Sequence, residues 1–141
     1  MSGYLLDTNV LSEFRKGRRA NPSLLAWANS TLSEDHFISV LALGEIRKGI
    51  ERIRRRDPAQ AIVLDVFLEK TEVEFEDRIL PVSKAVATQW GRFDAISPIP
   101  VVDGLMAATA FVHSLSFVTR NVADVQQTGV PILNPFEFLP E

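Results

Sequence analysis

Short apolar runs alternate along the chain with longer stretches in which apolar residues recur every three or four positions. Tyr4-Leu5-Leu6 is apolar and gives way at once to polar residues, which predicts a buried first strand. Thr8 to Arg15 predicts a helix, with Val10, Leu11 and Phe14 at helical spacing and Gly17 as its stop. Pro22 to Leu32 predicts a second helix with Pro22 in its first turn. Phe37-Ile38-Ser39 is the second strand. From Val40 a helix carries Leu43, Ile46, Ile50 and Ile53 on one stripe, and Asp57-Pro58 opens another marked by Ile62, Val63, Val66 and Phe67. Ile79-Leu80-Pro81-Val82 predicts a third strand at a sheet edge, because Pro81 cannot donate to a ladder. Ser83 to Ile96 is helical, Ser97-Pro98-Ile99-Pro100 is a loop, and Val101 to Leu115 is a nearly all-apolar helix. Phe117-Val118-Thr119 is the fourth strand. Asn121 to Gln127 is a short helix closed by Gly129, and Val130 to Leu133 is a fifth strand that Asn134-Pro135 stops.

Strands alternating with helices predict an α/β fold with a mostly parallel sheet flanked by helices and right-handed crossovers. No repeat, low-complexity stretch or linker divides the 141 residues, so one domain over 1–141 is expected. In such a sheet ligands bind outside the carboxyl ends of the strands, where strand order reverses. The residues just after each strand are therefore the ones to examine.

Composition narrows the chemistry. The absence of cysteine excludes disulfides, thiolate metal sites, iron–sulfur clusters and a cysteine nucleophile. No apolar run is long enough to span a membrane. Met1-Ser2-Gly3-Tyr4 lacks the features of a signal peptide, so a soluble cytoplasmic protein is expected. The net charge is only -3, but the charge is unevenly spread. Arg15, Lys16, Arg18 and Arg19 form one basic cluster, and Arg47, Lys48, Arg52, Arg54, Arg55 and Arg56 form a second. Such clusters do not exclude a nucleic-acid partner, but by themselves they favour a solvated helix face.

Three carboxylates stand in apolar surroundings. Asp7 follows the first strand, Glu45 lies in the first half of its helix, and Asp103 is the only charge on the nearly all-apolar helix. Asp and Glu are rarely fully buried without a partner, and an isolated buried carboxylate costs several kcal/mol. Asp7 could cap the following helix, Asp103 could sit on a helix dipole, and Glu45 could pair with Lys48 or Arg52. Taken together, and joined by Asp124 just past the fourth strand, they point instead to a hard divalent cation held by oxygen. No His spacing competes. Of the two histidines, His36 and His113, the latter reads as a packed core residue of its apolar helix. There is no Walker A loop, no dinucleotide fingerprint and no G-x-S-x-G elbow. Asp7-Thr8-Asn9 lacks the second Asp of a haloacid-dehalogenase-type phosphatase.

Leu6-Asp7-Thr8-Asn9-Val10-Leu11-Ser12-Glu13, Ile38-Ser39, and Gly44-Glu45-Ile46 through Gly49-Ile50 resemble a PIN-domain ribonuclease. The stretches Val102 to Ala110, Thr119 to Asp124 and Pro131 to Phe136 extend the likeness over essentially the whole chain. The pattern is similar to the VapC toxins of bacterial toxin–antitoxin pairs, nearest the FitB-like branch. The resemblance implies a five-stranded parallel sheet of order 3-2-1-4-5 with the first and fourth strands adjacent. It matches Asp7, Glu45, Asp103 and Asp124 to the family's acids, the last in an outer or second-metal role. Thr8, Asn9, Thr119 and Asn121 match polar groups that position them. Two positions depart from the family pattern. Val125 stands where an aromatic is common, and Gly104 is smaller than usual.

The resemblance implies an endoribonuclease that uses Mg²⁺ or Mn²⁺, one or two ions per site. Its products carry 5′-phosphate and 3′-hydroxyl ends. Candidate RNA contacts are Arg15, Lys16, Arg47, Lys48, Arg52, Arg54 and Arg120. It also implies a cognate antitoxin, a homodimer and toxin–antitoxin hetero-oligomers. A metal-dependent phosphohydrolase for small molecules and a non-catalytic PIN scaffold are the competing functions. The basic clusters disfavour the first, and the presence of all four acids disfavours the second.

Overall fold

A computed structural model describes residues 3–140. Met1 and Ser2 of the chain start, and Glu141 at the end of the expected domain, lie outside the described residues.

The elements are β1 (Tyr4–Leu6), α1 (Thr8–Phe14), α2 (Pro22–Asn29), β2 (His36–Ser39), α3 (Val40–Arg54), α4 (Pro58–Glu74), β3 (Ile79–Leu80), α5 (Lys84–Ile96), α6 (Val101–Val112), β4 (Ser116–Val118), α7 (Val122–Val125) and β5 (Ile132–Leu133). The sheet runs β3-β2-β1-β4-β5 with every pairing parallel, the order the family resemblance implies. β3 forms one edge, where Pro81 does no harm. β1 lies at the centre, with Leu5 and Leu6 buried, and the chain leaves it towards β2 on one side and β4 on the other. That reversal opens a crevice beyond the carboxyl ends of β1 and β4.

Side chains at the helix starts fix where the helices begin. The Asn21 carboxamide accepts from the Ser23 and Leu24 amides ahead of α2, Ser39 caps α3, Asp57 caps α4 and Ser83 caps α5. α2 stops at Asn29, short of the expected Leu32. There the Ser30 and Thr31 hydroxyls bond back to the Trp27 and Ala28 carbonyls and compete with a further turn. α6 stops at Val112, because Ser114 adopts φ 56° and Leu115 N donates to Ala110 O, turning the chain into β4.

Two expectations are corrected. His113 caps α6 and is exposed, not packed in the core. His36 is the buried histidine; its ring stacks on Trp27 at 5.2 Å, and burial, with Arg78 nearby, holds its pKa below the ordinary range. On α4, Ile62, Val63 and Val66 are exposed, and the helix packs on α3 through Ala61, Leu68 and their neighbours. α4 has apolar residues all round, so its sequence does not say which face is inside.

Arg78 carries a structural load invisible in the sequence. Its guanidinium donates to the Ser33, His36 and Glu74 carbonyls at 2.7, 2.6 and 2.7 Å and lies over the Phe75 ring. Arg78→Ala is expected to lower stability by about 2–3 kcal/mol, because charged donors to three carbonyls are lost together. Denaturant melts check this.

Candidate active site

Asp7 leaves β1 and caps α1 in the same residue. One carboxylate oxygen, Oδ1, accepts from the Thr8 amide at 2.7 Å. The other, Oδ2, accepts from the Thr119 hydroxyl at 2.7 Å and the Asn9 carboxamide at 3.2 Å. The Asp7 amide donates to Val118 O, so the ends of β1 and β4 are tied at this residue. Thr119 Oγ1 in turn accepts from the Asn121 amide at 3.0 Å, and Asn9 Oδ1 accepts from the Arg120 amide at 3.3 Å. All four supporting residues named from the sequence therefore surround Asp7.

α3 brings in Glu45. It makes no ion pair with Lys48 or Arg52; its Oε1 accepts from the Thr8 hydroxyl at 2.5 Å. α6 supplies Asp103 from its first turn. Asp94 Oδ1 accepts from the Ile99 amide at 3.2 Å and so shapes the loop that starts α6. Asp7, Thr8, Asn9, Glu45, Asp103 and Asn121 line one open cavity of about 290 Å³. Asp124 is exposed on α7 and does not line it, but its charge reaches Asp103.

The acids strain one another electrostatically. Burial, with Glu45 nearby, pushes the Asp7 carboxyl above its ordinary range against the bonds from Thr119, Thr8 and Asn9. Burial first, then the charges of Asp7, Asp124 and Glu45, push Asp103 up to about 6. Among the described residues none of the four acids has an ion-pair partner. An all-oxygen donor set with surplus negative charge suits a hard divalent cation. Among the same residues, however, no three His, Cys, Asp or Glu side chains stand close enough to hold a metal as they are, so the acids rim an open cavity and do not form a closed cage.

One contributor escaped the sequence. Trp90 on α5 packs against Gly104, where an added Cβ would lie 3.0 Å from Trp90 Cδ1 and 3.2 Å from its Nε1. A glycine inside a helix costs about 1 kcal/mol relative to Ala, which is the only signal the sequence offers. Gly104→Ala is expected to destabilise by about 1–3 kcal/mol through overpacking and to disturb Asp103 beside it. Thermal melts and a crystal structure of the variant test both effects.

The candidate RNA contacts divide. Arg47 and Arg54 face α4 and bond to Glu51 and Asp65, and Lys16 pairs with Glu13 at 3.0 Å. These three are paired within the chain. The Arg120 guanidinium lies 3.7 Å over the Phe136 ring. Arg15, Lys48 and Arg52 are exposed and make no ion pair among the described residues.

The family model for the PIN domain matches residues 4–125. The chain belongs to the PIN domain family. It is 32% identical to "Toxin FitB" of Neisseria gonorrhoeae over 138 residues, covering 94% of this chain and 97% of that protein. It is 28% identical to "VapC ribonuclease Y4jK" of Sinorhizobium fredii, covering 94% and 97%. Its fold superposes on the crystal structure of FitAcB from Neisseria gonorrhoeae with a TM-score of 0.84 and 31% identity, covering 96% of this chain and 99% of that one. The cavity at the β1–β4 switch point is thus the natural place to seek this PIN domain's chemistry.

Proposed function

We propose that this PIN-domain protein, one domain over residues 1–141, is a Mg²⁺- or Mn²⁺-dependent endoribonuclease and the toxin of a toxin–antitoxin pair. The observation that carries the chemistry is the convergence of Asp7, Glu45 and Asp103 on one open cavity, where among the described residues none of them has an ion-pair partner. Asp7, Glu45 and Asp103 would hold the ion, with Asp124 at the margin. A bound Mg²⁺ or Mn²⁺ would supply Lewis acidity at this position.

The chain's own groups do the rest. Thr8 N, Thr119 Oγ1 and Asn9 Nδ2 fix both Asp7 oxygens, and Thr8 Oγ1 fixes Glu45. Preorganised ligands need no rearrangement when charge develops. Asp103 completes the oxygen set from the first turn of α6. The exposed cations Arg15, Lys48 and Arg52 hold the RNA backbone, a role that positions the strand without reading its sequence.

The partner follows from the relatives. Similar solved structures carry the titles "Structure of FitAB bound to IR36 DNA fragment" and "Crystal structure of DNA bound VapBC from Salmonella typhimurium". We infer a cognate antitoxin, a homodimer and toxin–antitoxin hetero-oligomers, acting in the cytoplasm. Among the described residues no helix is long and apolar enough to cross a membrane.

Brief expression of the wild type, with 5′-end mapping of cellular RNA, tests this directly. New 5′ ends and growth arrest are expected, both absent with Asp103→Asn and both relieved by the product of an adjacent small gene. Healthy growth with abundant folded protein and no new ends contradicts the proposal.

A further inference from the structure

A second cavity, of about 210 Å³, opens beside the carboxylate cavity and shares Thr8 and Glu45 with it. Ser12 of α1 and Arg15 at its C-terminal cap line it together with Gly49 and Ile53 of α3, and the rest of its lining, from α3 and α4, is apolar. Gly49 lies inside α3, where a Cβ would meet nothing within 4 Å. Glycine there costs about 1 kcal/mol relative to Ala, and no packing within the chain requires it. It keeps the wall of the cleft low.

The charges of α3 are sorted around this cleft. Arg52 shares a face with Glu45 and lies about 10 Å further along the axis, with Gly49 between them. Arg47 and Arg54 turn to the opposite face and bond to Asp65. Arg52 also borders an open depression of about 460 Å³ with Lys48, Arg55 and the acid Glu51, which is itself paired with Arg47 and Arg54. Positive charge therefore begins where the carboxylate cavity ends: Arg15 lines the apolar cleft, and Arg52 lies beyond it along α3. An apolar cleft beside cations matches the repeat of a nucleic-acid strand, a flat base beside a phosphate. The cleft is smaller than the roughly 300 Å³ at which drug-sized sites begin, a scale suited to one ring system.

We propose that the cleft over Gly49 is a nucleotide subsite: the nucleotide adjoining the cut phosphate lays its base in the apolar cleft beside Gly49 and Arg15, and the strand runs on along α3 to Arg52. This subsite rests on the RNA-cleaving function proposed above and adds to it the path of the strand along α3.

The test titrates a labelled single-stranded oligoribonucleotide into the full chain in chelator, by fluorescence anisotropy, over a range of salt concentrations. Gly49→Leu fills the cleft with a better helix former and should fold; Gly49→Ala is the milder companion, and circular dichroism checks both. Gly49→Leu is expected to bind about tenfold more weakly with an unchanged salt slope, as loss of a base contact predicts. Arg52→Ala is expected to reduce the log–log salt slope by about 0.7, as loss of one phosphate contact predicts. Cleavage of the same oligonucleotide in Mg²⁺ should slow in both through a higher KM. If the wild type binds and cuts RNA and folded variants match it, the subsite is overturned and the RNA function stands. If the wild type neither binds nor cuts, both fall. If Gly49→Leu handles RNA like the wild type but escapes inhibition by a partner protein, the cleft belongs to that partner and the subsite is overturned.

Discussion

In chelator, Asp103→Asn is expected to melt a few degrees higher than the wild type at pH 7. Asp103 titrates near 6 in the folded chain, above its ordinary 3.8, because burial and three neighbouring acids disfavour its charge. An acid raised on folding penalises the folded state above its folded pKa, and the penalty disappears as pH falls to the unfolded value. The window is therefore about pH 6 down to about pH 4, in which the metal-free wild type should gain stability relative to the variant. With discounting for partial exposure, the variant's advantage at pH 7 is on the order of 1–2 kcal/mol, which a domain of this size shows as a few degrees in Tm. A carboxylate serving only as a helix cap gives the opposite sign, losing on the order of 1 kcal/mol when neutralised. Adding Mg²⁺ or Mn²⁺ should raise the wild-type Tm in proportion to the logarithm of concentration above Kd, and the variant's less.

The second large effect falls on catalysis. Asp7→Asn keeps the volume of the side chain and leaves an oxygen for the bond from Thr119 or Thr8, so the β1–β4 junction should stay folded. It removes one of the three carboxylate charges that line the cavity. RNA cleavage is expected to fall by about a thousandfold or more, the scale on which a preorganised electrostatic group acts. Glu45→Gln should fall comparably, and Asp124→Asn much less, because Asp124 stands outside the cavity. Single-turnover rates on one RNA check the order. Near-normal cleavage by the Asp7 and Glu45 variants would remove the assignment of the site.

Much of this was legible in the chain. Strand–carboxylate–helix at Tyr4 to Leu11 placed Asp7 because a buried strand followed by a capping residue is a local pattern. The same holds for Ser39 before α3 and Ser83 before α5. Features that depend on distant partners were not legible. Arg47 and Arg54 pair with Glu51 at helical spacing on their own helix, but their second partner, Asp65, lies on the next helix and is not evident from spacing. Trp90 is invisible as a support for Asp103 until α5 is laid on α6. The inner face of α4 was misread because Ile62, Val63 and Val66 are as apolar as the residues that pack on α3. His113 was placed in the core because the apolar run continues to Leu115, whereas the left-handed turn at Ser114 ends the helix before it.

The most direct measurement of the central claim is cleavage of single-stranded RNA by the purified wild-type protein, first in chelator and then after addition of Mg²⁺ or Mn²⁺. The carboxylate cavity predicts no cleavage in chelator and restored cleavage with either ion, leaving 5′-phosphate ends, with Asp103→Asn inert throughout. Equal cleavage with and without the ions, or cleavage retained by Asp103→Asn, would contradict it.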